Sequence, residues 1–273
     1  MYGKIELKKA ALEIFYMKLG AQMYSVRTEC TDAKSLRNTF LKLKEIGYES
    51  AQLSGTYDVD AEIVKSCILE SGLVIPATHR NPENVLNFTE KEIDFHKTIG
   101  ASLIGIGSMP PRYRESVEGV RQFIKDMREP IKKIGDAGLK FTYHNHSWEF
   151  APLEGTCIYD VLIEEAPEME FMHDVYWSRY AGVDTIGYLK RICEAGRVTD
   201  IHFKDMKKAA NGPLSMCPCG EGIIDFTELV ALCESYGVKN AYIEQDNAPD
   251  LGDVFAQMKT SFDNLFPIFK AYR

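Results

Sequence analysis

Apolar residues in this chain fall in short continuous runs, separated by longer stretches where they recur every three or four positions. The short runs lie at 19–26, 48–53, 73–79, 102–107, 139–144, 169–175, 198–203 and 240–244, and their length predicts strands. Between them the spacing is helical. Leu36, Phe40, Leu43 and Ile46 follow a Thr31-Asp32 cap and stop at Gly47. The same periodicity covers 60–71, closed by Gly72, then 89–99, 115–137, 158–165, 183–195, 225–236 and 251–271. Thr89 with Glu92 three residues later predicts a capping box on the 89–99 helix.

Phrases running from a helix-ending glycine into a strand recur: IGYESAQL, SGLVIPATH, IGASLIGIG, AGLKFTYHN, EAGRVTDIH and YGVKNAYIE. One unit of about 31 residues is thus used eight times between 19 and 268. Eight strand–helix pairs predict an α/β fold of the (β/α)8 barrel type. An open doubly wound sheet would carry a glycine-rich phosphate turn after an early strand, and none stands there. Gly105-Ile106-Gly107 reads instead as strand backbone in close quarters. No linker interrupts the pattern, so 19–273 is expected to be one barrel domain. Residues 1–18 read as an N-terminal helical extension plugging its lower face.

Composition narrows the class. With 273 residues, 45% hydrophobic and 11% aromatic, the chain has ample core, and disorder is excluded. Forty acids against 32 lysines and arginines give a net charge of -8, which argues against nucleic-acid binding. No run is apolar enough to span a membrane, and the charged N-terminal segment does not read as a secretory leader. Seven scattered cysteines suggest reduced thiols and a cytoplasmic location. Cys217-Pro218-Cys219 lacks metal or redox spacing and reads as a loop.

In a barrel of this kind, chemistry collects at the C-terminal ends of the strands. Strand five ends Tyr143-His144-Asn145-His146, with Glu149-Phe150 just after. Strand six ends His173-Asp174-Val175-Tyr176-Trp177, strand seven His202-Phe203-Lys204-Asp205, and strand eight Glu244-Gln245-Asp246. Any one of these groups alone is more often an ordinary polar residue. Four in succession on neighbouring strands point to one divalent cation. Mixed oxygen and nitrogen donors suit Mn²⁺ first, then Zn²⁺, Mg²⁺, Co²⁺ or Fe²⁺. A cation also relieves the repulsion among acids sharing a cleft.

These phrases, together with Gln22-Met23-Tyr24-Ser25-Val26-Arg27 and Gly220-Glu221-Gly222 before Asp225, resemble the xylose-isomerase-like family of sugar (phosphate) isomerases and epimerases, in an H-N-H-x-x-E subgroup. The resemblance runs from 19 to about 268. It implies a Glu-Asp-His-Glu metal site, onto which Asp174, His202 and Glu244 map by motif and strand position. The first ligand is then Glu149 reaching back from its loop, with His144 the alternative. The implied reaction is sugar isomerisation or epimerisation through a metal-bound enediolate, with Glu149 and Glu244 as bases on either side of the substrate.

His146, two residues beyond His144, is a second base candidate or a hydrogen-bonded loop residue. Lys204 follows His202 by two and shares its face, where it would neutralise an enediolate. His79, His144, Trp177 and Glu221 are candidate substrate contacts. Gln22 and Tyr24 are others, alternating inward on strand one unless they merely fill the barrel. The partner expected is a small sugar or polyol, and a homo-oligomer is the default assembly. A metal-dependent lyase or dehydratase acting on a keto-sugar, inosose or 3-keto-glycoside would use the same intermediate. An abasic-site endonuclease would want a basic face and more than six histidines, and a non-catalytic barrel subunit would hold no metal.

Overall fold

The computed structural model describes residues 16–208 and 212–273. Eight parallel strands close a barrel: β1 (Lys18–Gln22), β2 (Ser50–Leu53), β3 (Val74–Arg80), β4 (Leu103–Ile106), β5 (Lys140–His144), β6 (Glu170–Asp174), β7 (Asp200–Phe203) and β8 (Asn240–Ile243). They follow chain order around the ring, and β8 closes on β1 with Asn240 beside Lys18. Strands buried on both faces are rich in apolar residues, which is why they stand out in the sequence. The eight expected helices lie outside, from Ala33–Ile46 to Val254–Lys270. The expected extension over 1–18 falls almost wholly outside the described residues, and Lys18 already belongs to β1. No helix among the described residues is long and apolar enough to cross a membrane.

Local chemistry explains the departures from the predicted pattern. β1 stops at Gln22, whose side chain accepts from the Tyr24 amide and caps a 3-10 turn over Met23–Glu29. Tyr24 therefore does not share the inward face of a strand. Asp32 and Ser35 form a reciprocal capping box on the first helix. The box expected at Thr89 is absent, because Thr89 Oγ1 donates to the Val85 carbonyl and Glu92 pairs with Arg80. Two short helices, Pro82–Asn87 and Val175–Tyr180, and a hairpin of Asp205–Lys208 with Leu214–Cys217 occupy loops on the β3, β6 and β7 sides.

Residues packed inside the lower barrel include a buried polar chain. Ser50 Oγ donates to Asn240 Oδ1, Asn240 Nδ2 donates to Asp200 Oδ1, and Tyr242 Oη donates to Asp200 Oδ2 at 2.6 Å. Room for the Tyr242 ring comes from Gly20, where a Cβ would lie 2.7 Å from that ring. Gly105 is equally constrained, since a Cβ there would meet the Thr78 carbonyl at 2.5 Å. All seven cysteines are unpaired and buried.

Candidate metal centre

Strands β5, β6, β7 and β8 bring His144, Asp174, His202 and Glu244 together at the C-terminal mouth. One donor atom from each lies within 4.8 Å of the other three, and all four residues are buried. His144 Nε2 is 3.1 Å from Asp174 Oδ2, and His202 Nδ1 is 2.8 Å from Glu244 Oε2. Side chains that converge in this way could hold a metal ion.

The imidazoles are oriented for this. His144 Nδ1 faces the Gly107 carbonyl at 3.1 Å, and a carbonyl only accepts. Nδ1 therefore carries the hydrogen and Nε2 offers its lone pair. His202 is held the opposite way round: its Nε2 donates to Gln52 Oε1 at 2.6 Å, leaving Nδ1 free. Such partners fix the tautomer and aim of a ligating histidine. Asp174 is anchored too, its Oδ1 accepting from the Trp177 amide. Asn145 bonds both the amide and the carbonyl of Asp174, tying the end of β5 to β6.

Burial by itself would neutralise the carboxylates, but Lys204 and the histidines outweigh it and hold Asp174 and Glu244 well below the usual carboxylate range. Lys204 Nζ lies 3.2 Å from Asp174 Oδ2, 3.0 Å from Glu244 Oε2 and 3.2 Å from Asp246 Oδ1. Burial opposes its charge, yet these acids raise its pKa. For His202 likewise, the pull of Glu244 overcomes burial and raises the pKa. The site is thus built for positive charge beyond what Lys204 provides.

Above the cluster opens a cavity of about 500 Å³, lined by His79, His144, His146, Lys204, Glu244 and Asp246 among others. His79 packs against both imidazoles of the cluster, 5.0 Å from the His144 ring and 5.2 Å from that of His202. Its Nε2 and His146 Nδ1 are buried without hydrogen-bond partners. Burial first, then the neighbouring His144 charge, lowers the pKa of both, that of His146 to about 3.

The sequence matches the xylose isomerase-like TIM barrel family over residues 40–254. The chain belongs to that family. No curated protein sequence matches it. Among solved structures, a sugar phosphate isomerase/epimerase from Parabacteroides distasonis ATCC 8503 aligns with TM-score 0.76 and 22% identity, covering 92% of this chain and 99% of the other. An L-ribulose 3-epimerase aligns with TM-score 0.70 and 11% identity, over 94% and 96%. An IOLI protein with a bound zinc atom aligns with TM-score 0.70 and 13% identity, over 94% and 99%. At these identities the likeness is one of fold.

Within this family barrel, the other expected site residues lie at varying distances from the cluster. Glu149 is fully buried but turned away from the cluster. Its Oε1 accepts from Tyr143 Oη at 2.9 Å and its Oε2 from the His146 amide at 2.7 Å. The cause is a 3-10 turn over Trp148–Phe150, which curls the residue back toward Tyr143. His144 takes the position expected of Glu149. Gln22 is buried behind the cavity, where its Nε2 donates to Gln52 Oε1. Tyr24 is at the cavity edge, stacked under Arg27. Trp177 stands beside the cavity, its ring 5.3 Å from Lys204 Nζ. Glu221 is exposed and paired with Lys207. Its loop is pinned by Asp205, which accepts from the amides of Gly220, Gly222 and Ile224, and so turns Glu221 toward the hairpin.

Sequence reasoning missed Gln52 and the Gly107 carbonyl, which orient the cluster from other strands. It named Asn145 and Asp246 without a role. A polar residue inside an apolar strand, as Gln52 is, was the signal available.

Proposed function

We propose that this chain is a divalent-metal-dependent isomerase or epimerase of a sugar, keto-sugar or related polyol. The observation that carries the reading is the convergence of His144 Nε2, Asp174 Oδ2, His202 Nδ1 and Glu244 Oε2 on one buried centre below an open cavity. Two nitrogen and two carboxylate donors fit a divalent cation. The second imidazole makes Zn²⁺, Co²⁺ and Fe²⁺ as well suited as Mn²⁺. When bound, such an ion supplies Lewis acidity to a carbonyl and its neighbouring hydroxyl.

The chain's own groups supply the rest. Lys204 stays protonated and offers a fixed positive charge where negative charge develops on substrate oxygen. His79 and His146 present neutral imidazoles with unpartnered nitrogens, able to hold a hydroxyl or move an α-proton. Glu244 serves as ligand and flanks Lys204. Glu149 is assigned to positioning, because both its oxygens are engaged in holding Tyr143 and the His146 backbone. The unpaired cysteines support a reducing compartment.

The test is incubation of the purified protein with Mn²⁺ or Zn²⁺ and a panel of aldoses, ketoses and inososes in D₂O. Deuterium at the α-carbon with an intact carbon skeleton is expected. A dehydrated or cleaved product assigns the site to the lyase class instead. Protein that takes up no metal and exchanges no proton would end the enzymatic reading.

A further inference from the structure

The short helix Val175–Tyr180 follows the ligand Asp174 directly and carries three aromatic rings, Tyr176, Trp177 and Tyr180. The two tyrosines stack with rings 12° from parallel and 5.9 Å apart, and Trp177 meets each of them edge-on. This platform is one wall of a groove of about 450 Å³. Leu214 to Met216 of the hairpin, with Asn247 and Asp250, line its remaining sides. Asp246 lines both this groove and the cavity over the ligands, so the two adjoin. Lys204 sits at their junction, bonded to Asp246 and facing the Trp177 ring.

We propose that this groove is a second sugar-binding subsite, so that the substrate is a two-ring glycoside with one ring over the ligand cluster and the other against the half-exposed Tyr180, which is backed by the buried Tyr176. The inference rests on reading the cavity as a sugar site. Its walls are built rather than incidental. Asp174 Oδ1 fixes the platform through the Trp177 amide, and Asn247 Nδ2 ties the opposite side to the hairpin through the Met216 carbonyl. Tyr180 and Leu214 nonetheless stay 50% and 39% exposed, which leaves apolar surface open in the groove.

The chemistry of the walls selects the occupant. No lysine or arginine lines the groove, whereas Asp246 and Asp250 do, so an anionic substituent is disfavoured and hydroxyl donors are favoured. A sugar ring meets both demands, with a C–H face for Tyr180 and hydroxyls for the carboxylates. Nine residues line the groove, against roughly 20–30 on each side of a stable protein interface, which disfavours a second chain.

Trp148 and Trp177 are the two tryptophans of the chain, so Trp148→Phe leaves Trp177 as the sole indole reporter beside the groove. Its fluorescence is titrated with maltose, cellobiose, lactose, sucrose and trehalose, each against glucose, galactose or fructose as the matching monosaccharide. At least one disaccharide is expected to bind tenfold or more tighter than its monosaccharide. Adding Tyr180→Ala, at a half-exposed position outside the cavity, should weaken that disaccharide about tenfold and leave the monosaccharide unchanged. Disaccharides that bind no tighter than monosaccharides, or not at all, overturn the subsite. So does a Tyr180→Ala variant that loses both ligands equally, or a concentration-dependent dimer that the same variant abolishes. Because binding is read without turnover, failure of metal uptake and solvent exchange counts separately, against the isomerase reading itself.

Discussion

Gln52 Oε1 accepts a 2.6 Å hydrogen bond from His202 Nε2 inside the barrel. The same oxygen accepts from Gln22 Nε2, so two residues of the first two strands decide which nitrogen of a β7 histidine faces the cluster. Glu244, the partner of that nitrogen, comes from just beyond β8. The candidate site is thus assembled from across the whole ring.

Replacing Gln52 by leucine keeps the side-chain bulk but leaves His202 without its orienting acceptor. Metal affinity should fall about 10- to 100-fold, whereas Gln52→Glu, which preserves an acceptor, should lose far less. Competition against a chromophoric chelator measures both, and equal affinity in Gln52→Leu would rule out the orienting role.

His144 and Glu149 make opposite predictions. His144→Ala, His202→Ala and Glu244→Ala should each abolish stoichiometric metal in the purified protein. Glu149→Gln should keep it, since its carboxylate points to Tyr143 and the His146 amide. Elemental analysis decides the matter. Metal lost from Glu149→Gln and retained in His144→Ala would reverse the assignment.

A metal that binds only the folded chain must stabilise it. At one hundred times its dissociation constant it adds about 2.7 kcal/mol. For a chain of this length that raises Tm by roughly 5–10 °C. Thermal melts with Zn²⁺ or Mn²⁺, and with a chelator, check this, and a Tm indifferent to both would be a failure of the site.

Asp200 sets a pH dependence of opposite sign to that of a salt-bridged acid. Burial pushes its pKa from 3.8 up to about 6, only partly offset by hydrogen bonds from Asn240 and Tyr242. Between these values the folded chain holds a proton that the unfolded chain has released. Its contribution therefore weakens as pH rises through that window, by about 3 kcal/mol in all, and stays low above it. Asp200→Asn should be more stable than wild type at pH 8, with the advantage vanishing near pH 4. Denaturant titrations at pH 4, 6 and 8 give the difference, and a constant offset would contradict it.

Much of the barrel was readable because its signals are local. A strand buried on both faces is rich in apolar residues, as at Leu103–Ile106, and a helix must stop where Gly47 or Gly72 takes positive φ. Asp174, His202 and Glu244 were readable for a related reason, since residues at strand ends inherit the direction of the strand. Where a side chain's course depends on a loop, that logic stops. Tyr24 left the inward face because Gln22 caps a turn, and Glu221 left the site because Asp205 gathers three amides of its loop.

By itself, then, the order of residues determined an eight-unit barrel with acids and imidazoles on one rim, because burial periodicity and strand direction are properties of neighbouring residues. Only the tertiary structure decided that His144 and not Glu149 faces the cluster. That choice turns on Tyr143 and the His146 amide claiming the carboxylate, and on the Gly107 carbonyl claiming His144 Nδ1 from the next strand. Competition for a hydrogen-bond partner is settled by which groups meet in space.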